Sequence, residues 1–423
     1  MTFPRAVGML LFLLPSLAGA AAVPSDAEIR KLLAEWGGAE GEGVAIVIGV
    51  VEPQGMRVIP YGRLSPLDGD TVFEIGSVTK VLTALALSDM VRRDEVALGD
   101  AVTKHLPSGV KIPGRNGRSI TLLDLATHTS GLPFMPDDDS AQLYAFLSRH
   151  ELRREIGAEW EYSNLGYWLL GEALAFRAGM DFESLLRTRI LAPLKMESTA
   201  ITLSPKLEAR LAAGHDASLQ PSPRFSSVPV YAAMPAAGGV VSTVNDLAKL
   251  LRSVMESFVS SEKPLAWTVV GEGDGKIIVH DGGTLGYASS VAFDPDSRVG
   301  VIVLSNQVAG VGDIARHLLR PDLPLPKAPV TKRTEIALDP AVLGGYAGRY
   351  EAAGEGIFVV ERENDFLTIT LPPDWGLPKL RLRPESRQDF FVAELPLRVT
   401  FQEKGMLIYP PRGQRAVAAG RVP

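Results

Sequence analysis

Ser77 and Lys80 are the residues of this sequence whose types and spacing most directly suggest chemistry. They stand at the start of the apolar stretch 81–87, which is typical of a buried helix. If Ser77 opens that helix, Lys80 lies three positions later, so both side chains emerge on one face, a turn apart. A nucleophilic serine needs a nearby base, and an adjacent amine can serve as one. The pattern therefore predicts a Ser-Lys hydrolase. Taken alone, it also fits a helix cap followed by a solvated lysine.

A second polar segment, Tyr162-Ser163-Asn164, precedes an apolar run at 165–174. That run is predicted to be a buried helix closed near Gly179, so the triplet should occupy a loop at the helix entrance. For Tyr162 and Asn164 considered alone, packing and helix capping are the alternative interpretations.

A third segment, His280-Asp281-Gly282-Gly283, follows the strand-like residues 276–279. A turn at 294–296 and an apolar run at 299–304 come next, which is typical of a β-meander. The segment is therefore predicted to end one strand of a sheet.

The sequence resembles the class C β-lactamase and penicillin-binding D,D-peptidase family of serine hydrolases, which also includes carboxylesterases. The resemblance rests on Ser-x-x-Lys at Ser77 and Lys80, Tyr-x-Asn at Tyr162 and Asn164, and the third element at residues 280–282, in the family's order. Segments at 127–133 and 237–243 also look like family segments, and together the matches cover roughly residues 26–320.

By this resemblance, Ser77 is the expected nucleophile, Lys80 and Tyr162 the proton-transfer pair, and Asn164 a binder of the substrate amide. The substrate would lie along the strand edge formed by His280, Asp281, Gly282 and Gly283, and the backbone N–H groups of Ser77 and Gly283 would hold the oxyanion. The expected reaction is acyl transfer through an ester on Ser77, followed by attack of water. Which of Lys80 and Tyr162 acts as the base stays open, because the reference pKa values of both residue types are about 10.

The third element departs from the Lys-Thr-Gly sequence that is usual in the family's lactamases. His280 should be mostly neutral at pH 7, and Asp281 would repel a substrate carboxylate if it faced the site. D-alanyl peptides or β-lactams remain the first expectation for the substrate. The alternatives are a carboxylesterase of the same fold and a penicillin-binding receptor that does not turn over.

Composition bounds the class of protein. A chain of 423 residues exceeds the size at which one core keeps growing, so two domains are expected. The net charge of −6 gives no basic surface for nucleic acid or for an anionic membrane.

The sequence has no cysteine, which excludes disulfides and thiolate catalysis, and its six histidines lack ligand spacing on a helix, so neither a metal nor a cofactor is expected. His128 is predicted to be a hydrogen-bonded structural residue rather than a base. The oligomeric state is left open.

The N-terminus is predicted to be a signal peptide over residues 1–22. One positive charge, an apolar run at 6–17 and small residues at Ala18 and Ala20 are what a signal peptidase requires. The protein is therefore expected to be exported, to the periplasm or outside the cell, with no membrane span once the signal is removed. An uncleaved anchor is the alternative.

Between these landmarks, an α/β (α+β) hydrolase domain is predicted over residues 23–320, with a central antiparallel sheet flanked by helices. A helix is expected at 26–36 and a hairpin at 43–61, pairing with late strands near residues 277, 291 and 302. The proline-rich stretch 203–235 is expected to be an extended surface segment bordering the cleft, and a proline-rich linker is predicted at 321–334. Residues 335–423 are predicted to form a small all-β domain that resembles the lipocalin-like barrel of some family members. Its strand-like runs lie at 345–350, 357–361, 366–371, 380–382, 390–392 and 397–401. The role of that domain is left open.

Overall fold

A six-stranded antiparallel sheet, in the order β2-β1-β10-β9-β8-β7, lies at the centre of the first domain in this computed structural model. The structure describes residues 23–37, 43–136, 142–257, 265–272, 275–308, 310–327, 333–372, 375, 379–393, 397–409 and 416–422. The first ten strands are β1 (Ala45–Glu52), β2 (Gly55–Gly62), β3 (Phe73–Glu74), β4 (Gly114–Arg115), β5 (Arg118–Ser119), β6 (Val241–Ser242), β7 (Thr268–Val270), β8 (Ile277–Gly283), β9 (Ala288–Asp294) and β10 (Val299–Ser305).

Helices cover both faces of this sheet, as the sequence predicts. The α-helices are α1 (Asp26–Trp36), α2 (Thr79–Arg92), α3 (Leu122–Ala126), α4 (Leu143–Arg149), α5 (Asn164–Ala178), α6 (Phe182–Leu186), α7 (Pro205–Glu208), α8 (Pro229–Ala232), α9 (Pro235–Gly238), α10 (Val244–Ser257), α11 (Gly312–Leu319) and α12 (Pro340–Tyr346).

Side chains alternate between the two faces along each strand, and this alternation divides the core into two layers. On β8, Ile278 packs into the large core shared with α2, α5 and α10, whereas Ile277 and Val279 pack into a second core with α1 and α11. The even-numbered residues of β8 therefore face the helices that carry the Ser77 and Tyr162 motifs.

Helix α2 runs through the large core, because almost all of its residues from Thr79 to Leu87 are buried. A short 3-10 turn, Gly76–Val78, leads into it, so Ser77 sits just before the first α-helical residue. Helix α5 is also largely buried, and the Ser163 hydroxyl accepts a hydrogen bond from the Gly166 N–H as its cap. The Ser77-Lys80 and Tyr162-Asn164 motifs thus stand at the entrances of two largely buried helices.

The C-terminal domain is a closed barrel in which β11 to β18 pair in sequence order and β18 returns to β11. Its interior is filled by apolar side chains such as Phe358, Leu382 and Phe401. The strands are β11 (Gly348–Ala352), β12 (Gly356–Glu363), β13 (Phe366–Thr370), β14 (Leu380–Pro384), β15 (Asp389–Phe391), β16 (Arg398–Gln402), β17 (Gly405–Tyr409) and β18 (Val417–Val422).

The predicted helix at 26–36, the hairpin and its pairing with the late strands are confirmed, since β1 pairs with both β2 and β10. The prediction of an extended surface segment at 203–235 is wrong in part. That stretch contains two short α-helices and a 3-10 turn. Its centre is buried, and the His215 N–H there donates to the Gly286 and Asn306 carbonyls. The Ala217 N–H also donates to Ala393 O of the barrel domain, at 3.0 Å.

Two predictions fall wholly or partly outside the described residues: the signal peptide at 1–22, and the part of the linker at 328–332. Within the described ranges, no helix combines the length and the apolar character that crossing a bilayer requires.

Candidate active site

The Lys80 amine is the centre of the site. The first turn of α2 carries this side chain into the core, where it has no exposed surface. Its Nζ lies 3.1 Å from Ser77 Oγ, 2.7 Å from Asn164 Oδ1 and 2.7 Å from the Ala237 carbonyl oxygen. The structure therefore brings together the amine and the hydroxyl that the Ser-x-x-Lys spacing predicts, and joins the Tyr-x-Asn motif to them.

Burial changes the chemistry of this amine. Removal from water disfavours the charged form, so the pKa of Lys80 falls well below its usual 10.5. Nζ contacts a hydroxyl and two carbonyl oxygens and lies near the Tyr162 and Tyr167 rings, and no carboxylate of the described residues bonds to it. The neutral amine is consequently more populated at neutral pH than for an exposed lysine.

The segment 236–240 is tied to α2 by two further hydrogen bonds, which fix the Ala237 carbonyl. The Thr83 hydroxyl donates to Ala236 O at 2.8 Å, and the Val240 N–H donates to Thr79 Oγ1 at 3.2 Å. Sequence analysis associated this segment with the family only by resemblance, because a carbonyl ligand leaves no side-chain signal.

Tyr162 and Asn164 reach the site from the entrance of α5. The centroid of the Tyr162 ring lies 4.7 Å from Lys80 Nζ. The Asn164 N–H donates to Phe134 O at 3.0 Å, and the Ser163 hydroxyl donates to Pro133 O at 2.7 Å. The loop after α3 therefore holds this triplet in place through its backbone.

The end of β8 lies against the turn that bears Ser77. Gly76 has φ +48°, and a Cβ there would lie 2.5 Å from Gly283 O. A Cβ on Gly282 would lie 2.2 Å from Ile75 O and 3.1 Å from Ser77 N. Both glycines are required by this close approach of two backbones. Since β7 pairs with β8 only as far as Val279, no described strand pairs with the outer edge of residues 280–283.

His280 is almost completely buried, and its Nδ1 bonds the Ala266 carbonyl. Burial, assisted by the nearby Lys80 amine, lowers the pKa of His280 to about 4. The imidazole is therefore neutral at pH 7, as its residue type predicts, and it is occupied with backbone rather than open to solvent.

The Asp281 side chain, predicted to repel a substrate carboxylate if it faced the site, points away from Ser77. Its carboxylate accepts hydrogen bonds from the Ser290 hydroxyl at 2.8 Å and from Arg316 Nη2 at 2.5 Å. Strand alternation turns this side chain toward α11, on the opposite face of the sheet from His280, and Arg316 balances its charge. Only the backbone of Asp281 belongs to the strand edge. Sequence analysis did not predict α11, so it could not supply the partner.

The described residues contain no group of three or more metal-ligating side chains. The described site therefore consists of a serine hydroxyl, a buried amine, a tyrosine, an asparagine amide and the edge of a strand. This is the architecture of a serine hydrolase of the Ser-Lys type.

Comparison with known proteins identifies the family. The Beta-lactamase family model matches residues 34–321, and the chain belongs to that family. It is 26% identical over 339 residues to the D-alanyl-D-alanine-carboxypeptidase/endopeptidase AmpH of Escherichia coli (strain K12), covering 66% of this chain and 86% of the relative. It is 25% identical over 387 residues to penicillin-binding protein 4* of Bacillus subtilis (strain 168), covering 79% of this chain and 84% of the relative.

Solved structures agree on the fold. A class C β-lactamase from Rhodobacter sphaeroides aligns with a TM-score of 0.58 at 23% identity, covering 70% of this chain and 97% of that chain. The β-lactamase/D-alanine carboxypeptidase from Yersinia pestis, complexed with citrate, aligns with a TM-score of 0.55 at 23% identity, covering 67% and 94%. The first domain therefore has the β-lactamase/transpeptidase-like fold, to which this chain adds the C-terminal barrel.

Substitution of Gly282 tests the close approach of β8 to the Ser77 turn. We expect Gly282→Ala to slow labelling of Ser77 by a fluorophosphonate about 100-fold or more, because the new methyl group must push Ile75 and Ser77 away from the strand. Gly420→Ala is the control, since it also adds a methyl group to a strand glycine, but in the barrel and with no atom within 4 Å of the new Cβ beyond its chain neighbours. Equal losses in the two variants, measured as second-order labelling rates, would show that the contact is not the constraint.

The lowered pKa of His280 predicts a pH dependence of stability. Below pH 6.5 the unfolded chain protonates this histidine, whereas the folded protein does so only near pH 4. The free energy of unfolding should therefore fall as the pH falls through this interval, by about 3 kcal/mol from this residue. Urea unfolding at pH 7 and pH 4 should show a smaller loss for His280→Gln than for the unsubstituted protein. An equal loss would contradict the neutral, buried histidine.

Proposed function

We propose that this protein hydrolyses its substrate through a covalent ester on Ser77, with Lys80 and Tyr162 transferring protons. The observation that carries the proposal is the 3.1 Å separation between Lys80 Nζ and Ser77 Oγ, with the amine completely buried. A desolvated amine beside a hydroxyl is one of the few arrangements that make serine nucleophilic at neutral pH.

The hydrogen-bond geometry favours Lys80 as the base that activates Ser77. Asn164 Oδ1 and Ala237 O can only accept hydrogen bonds, so the amine donates to both of them. The charged form of Lys80 also donates to Ser77 Oγ. The neutral amine has two N–H groups and one lone pair, so donation to the first two oxygens would leave the lone pair for the Ser77 hydroxyl. The amine can then take the hydroxyl proton as the oxygen attacks the substrate carbonyl.

Tyr162 completes the proton path in this proposal. Its ring stands beside the amine, at 4.7 Å from Nζ to the ring centroid, so the phenol and Lys80 form a coupled pair. Tyr162 would pass a proton to the leaving group, and the pair would reverse roles when water attacks the ester. The oxyanion would be held by the backbone N–H groups of Ser77 and Gly283, whose chain segments the glycines at 76 and 282 allow to meet.

For the substrate, we propose amide bonds of D-alanyl peptides or of β-lactams, with Asn164 and the edge of β8 holding the substrate backbone. The AmpH relative is a D-alanyl-D-alanine carboxypeptidase and endopeptidase, which supports this choice. So does the unpaired edge at residues 280–283, which can accept an extended chain as an added strand. The proposal includes export, which rests on the predicted signal peptide at 1–22.

A carboxylesterase is the second candidate, and one observation favours it. The third element offers no charge to a substrate carboxylate, because His280 is neutral and bonded to Ala266 O, while Asp281 faces α11. An ester without a carboxylate needs no such charge.

Ser77→Ala tests the nucleophile. We expect this variant to fold, because a serine at a helix start contributes only about 1 kcal/mol. It should bind no fluorescent penicillin and no fluorophosphonate covalently, as judged by intact-protein mass spectrometry. Persistent labelling of the alanine variant would overturn the assignment.

A panel of substrates separates the candidate functions. Purified protein would be assayed with a D-Ala-D-Ala peptide, a chromogenic cephalosporin and a short-chain nitrophenyl ester. We expect turnover of the first two; turnover of the ester alone would favour the carboxylesterase. A penicillin adduct on Ser77 that never decays, with no turnover in any assay, would indicate a receptor.

A further inference from the structure

His128 contacts the Tyr162 segment at three points. The Glu161 N–H donates to His128 O at 2.7 Å, and the Ser163 N–H donates to His128 Nδ1 at 3.0 Å. Between these two anchors, the imidazole packs on the phenol ring of Tyr162, with centroids 4.4 Å apart and planes tilted by 30°. His128 thus contacts the backbone on both sides of Tyr162 and the Tyr162 ring itself.

We propose that His128 is a positioning residue for the reaction, which orients the Tyr162 phenol toward the Lys80 amine. This inference rests on the proposed role of Tyr162 in proton transfer. It assigns His128 no proton of its own to transfer: a residue that acts through Tyr162 has a different signature from a base or a packing residue.

The chemistry of the imidazole explains why this position carries a histidine. Because Nδ1 accepts the Ser163 N–H, the neutral ring must carry its proton on Nε2. Histidine is the one aromatic side chain that presents a flat face for stacking and an in-plane acceptor nitrogen together. Phenylalanine would keep the face and lose the acceptor, and asparagine would keep an acceptor and lose the face.

The backbone of His128 serves the same arrangement. The residue has φ +57°, a left-handed conformation that non-glycine residues adopt infrequently. In this conformation, its carbonyl and its ring both reach the segment 161–163. Tyr167 supports the ring at 4.9 Å, and the Tyr167 hydroxyl is fixed by donation to Ala126 O at 2.8 Å. The His128 ring therefore packs between Tyr162 and the buried first turn of α5.

A direct role as a base does not fit the surroundings. Nδ1 is already occupied by the Ser163 N–H, and Nε2 is buried with no described group accepting its hydrogen bond. Burial and the nearby Lys80 amine lower the pKa of His128 to about 2, so the ring stays neutral beside the catalytic amine.

A double-mutant cycle tests the inference. His128→Phe and His128→Asn would each be made in the unsubstituted protein and in Tyr162→Phe. Asparagine tolerates the left-handed backbone and can accept the Ser163 N–H, so the pair separates the acceptor from the ring. The readouts are the rate constant for acylation of Ser77 by a chromogenic cephalosporin, measured in the pre-steady state, and KM from steady-state turnover of the same compound.

We expect each single His128 variant to lower the acylation rate by about 10- to 100-fold, with KM changed by less than about threefold. In the Tyr162→Phe background the same substitutions should cost less than about threefold, because the phenol that they misplace is gone. Equal losses in both backgrounds, or no loss in either single variant, would overturn the inference. If Tyr162→Phe alone leaves acylation unchanged, the proposed function fails instead.

A second readout needs no turnover. Protein carrying 3-fluorotyrosine has nine tyrosine positions, and Tyr162→Phe identifies the Tyr162 signal in a fluorine NMR spectrum. We expect that signal to shift or broaden in His128→Phe and His128→Asn, while the signals of tyrosines in the barrel stay in place. A Tyr162 signal that is unmoved in both variants would show that His128 does not orient the phenol.

Discussion

The burial of one amine is the constraint on which the rest of this site depends. Moving a lysine ammonium out of water costs several kcal/mol, so a buried lysine lowers its pKa instead of keeping its charge. In this protein the first turn of α2 leaves Lys80 no exposed surface, because the helix is apolar on nearly every side. A side chain that is ordinarily a solvated cation is thereby held as an amine of lowered pKa, 3.1 Å from Ser77 Oγ.

The neighbouring elements follow from that requirement. Helix α5 supplies the Asn164 side-chain amide oxygen, the loop before it supplies the Tyr162 ring, and the segment before β6 supplies the Ala237 carbonyl. These groups form a polar pocket inside an apolar core. Hydrogen bonds hold the backbone near these groups, from the Asn164 N–H to Phe134 O and from the Thr83 hydroxyl to Ala236 O. The glycines at 76 and 282 let the end of β8 lie against the Ser77 turn. The barrel domain supplies none of these groups, and among the described residues the Ala217 N–H of the first domain donates to Ala393 O of the barrel.

Much of this could be predicted from sequence, and the failures have physical reasons. Motif spacing and apolar periodicity predicted α1, α2, α5 and the meander, because the pattern of each lies within one short stretch of sequence. The strand expected at 345–350 begins only at Gly348, since Asp339 and Pro340 start a helix that runs to Tyr346. Two barrel strands at the C-terminus were not predicted. The sequence left the orientation of Asp281 open, because its partner Arg316 lies 35 positions away on a helix that was not predicted. The carbonyl of Ala237 carries no side-chain signal, and the contacts of His128 depend on a left-handed backbone that composition does not reveal.

The central claim is that Lys80 is a desolvated amine with a depressed pKa in the resting protein. It is tested most directly by NMR titration of protein with ¹³C-labelled lysine side chains, in which Lys80→Met assigns the Lys80 signal. The account predicts that this signal titrates well below the usual lysine value of 10.5. A Lys80 signal that titrates together with the exposed lysines would contradict it.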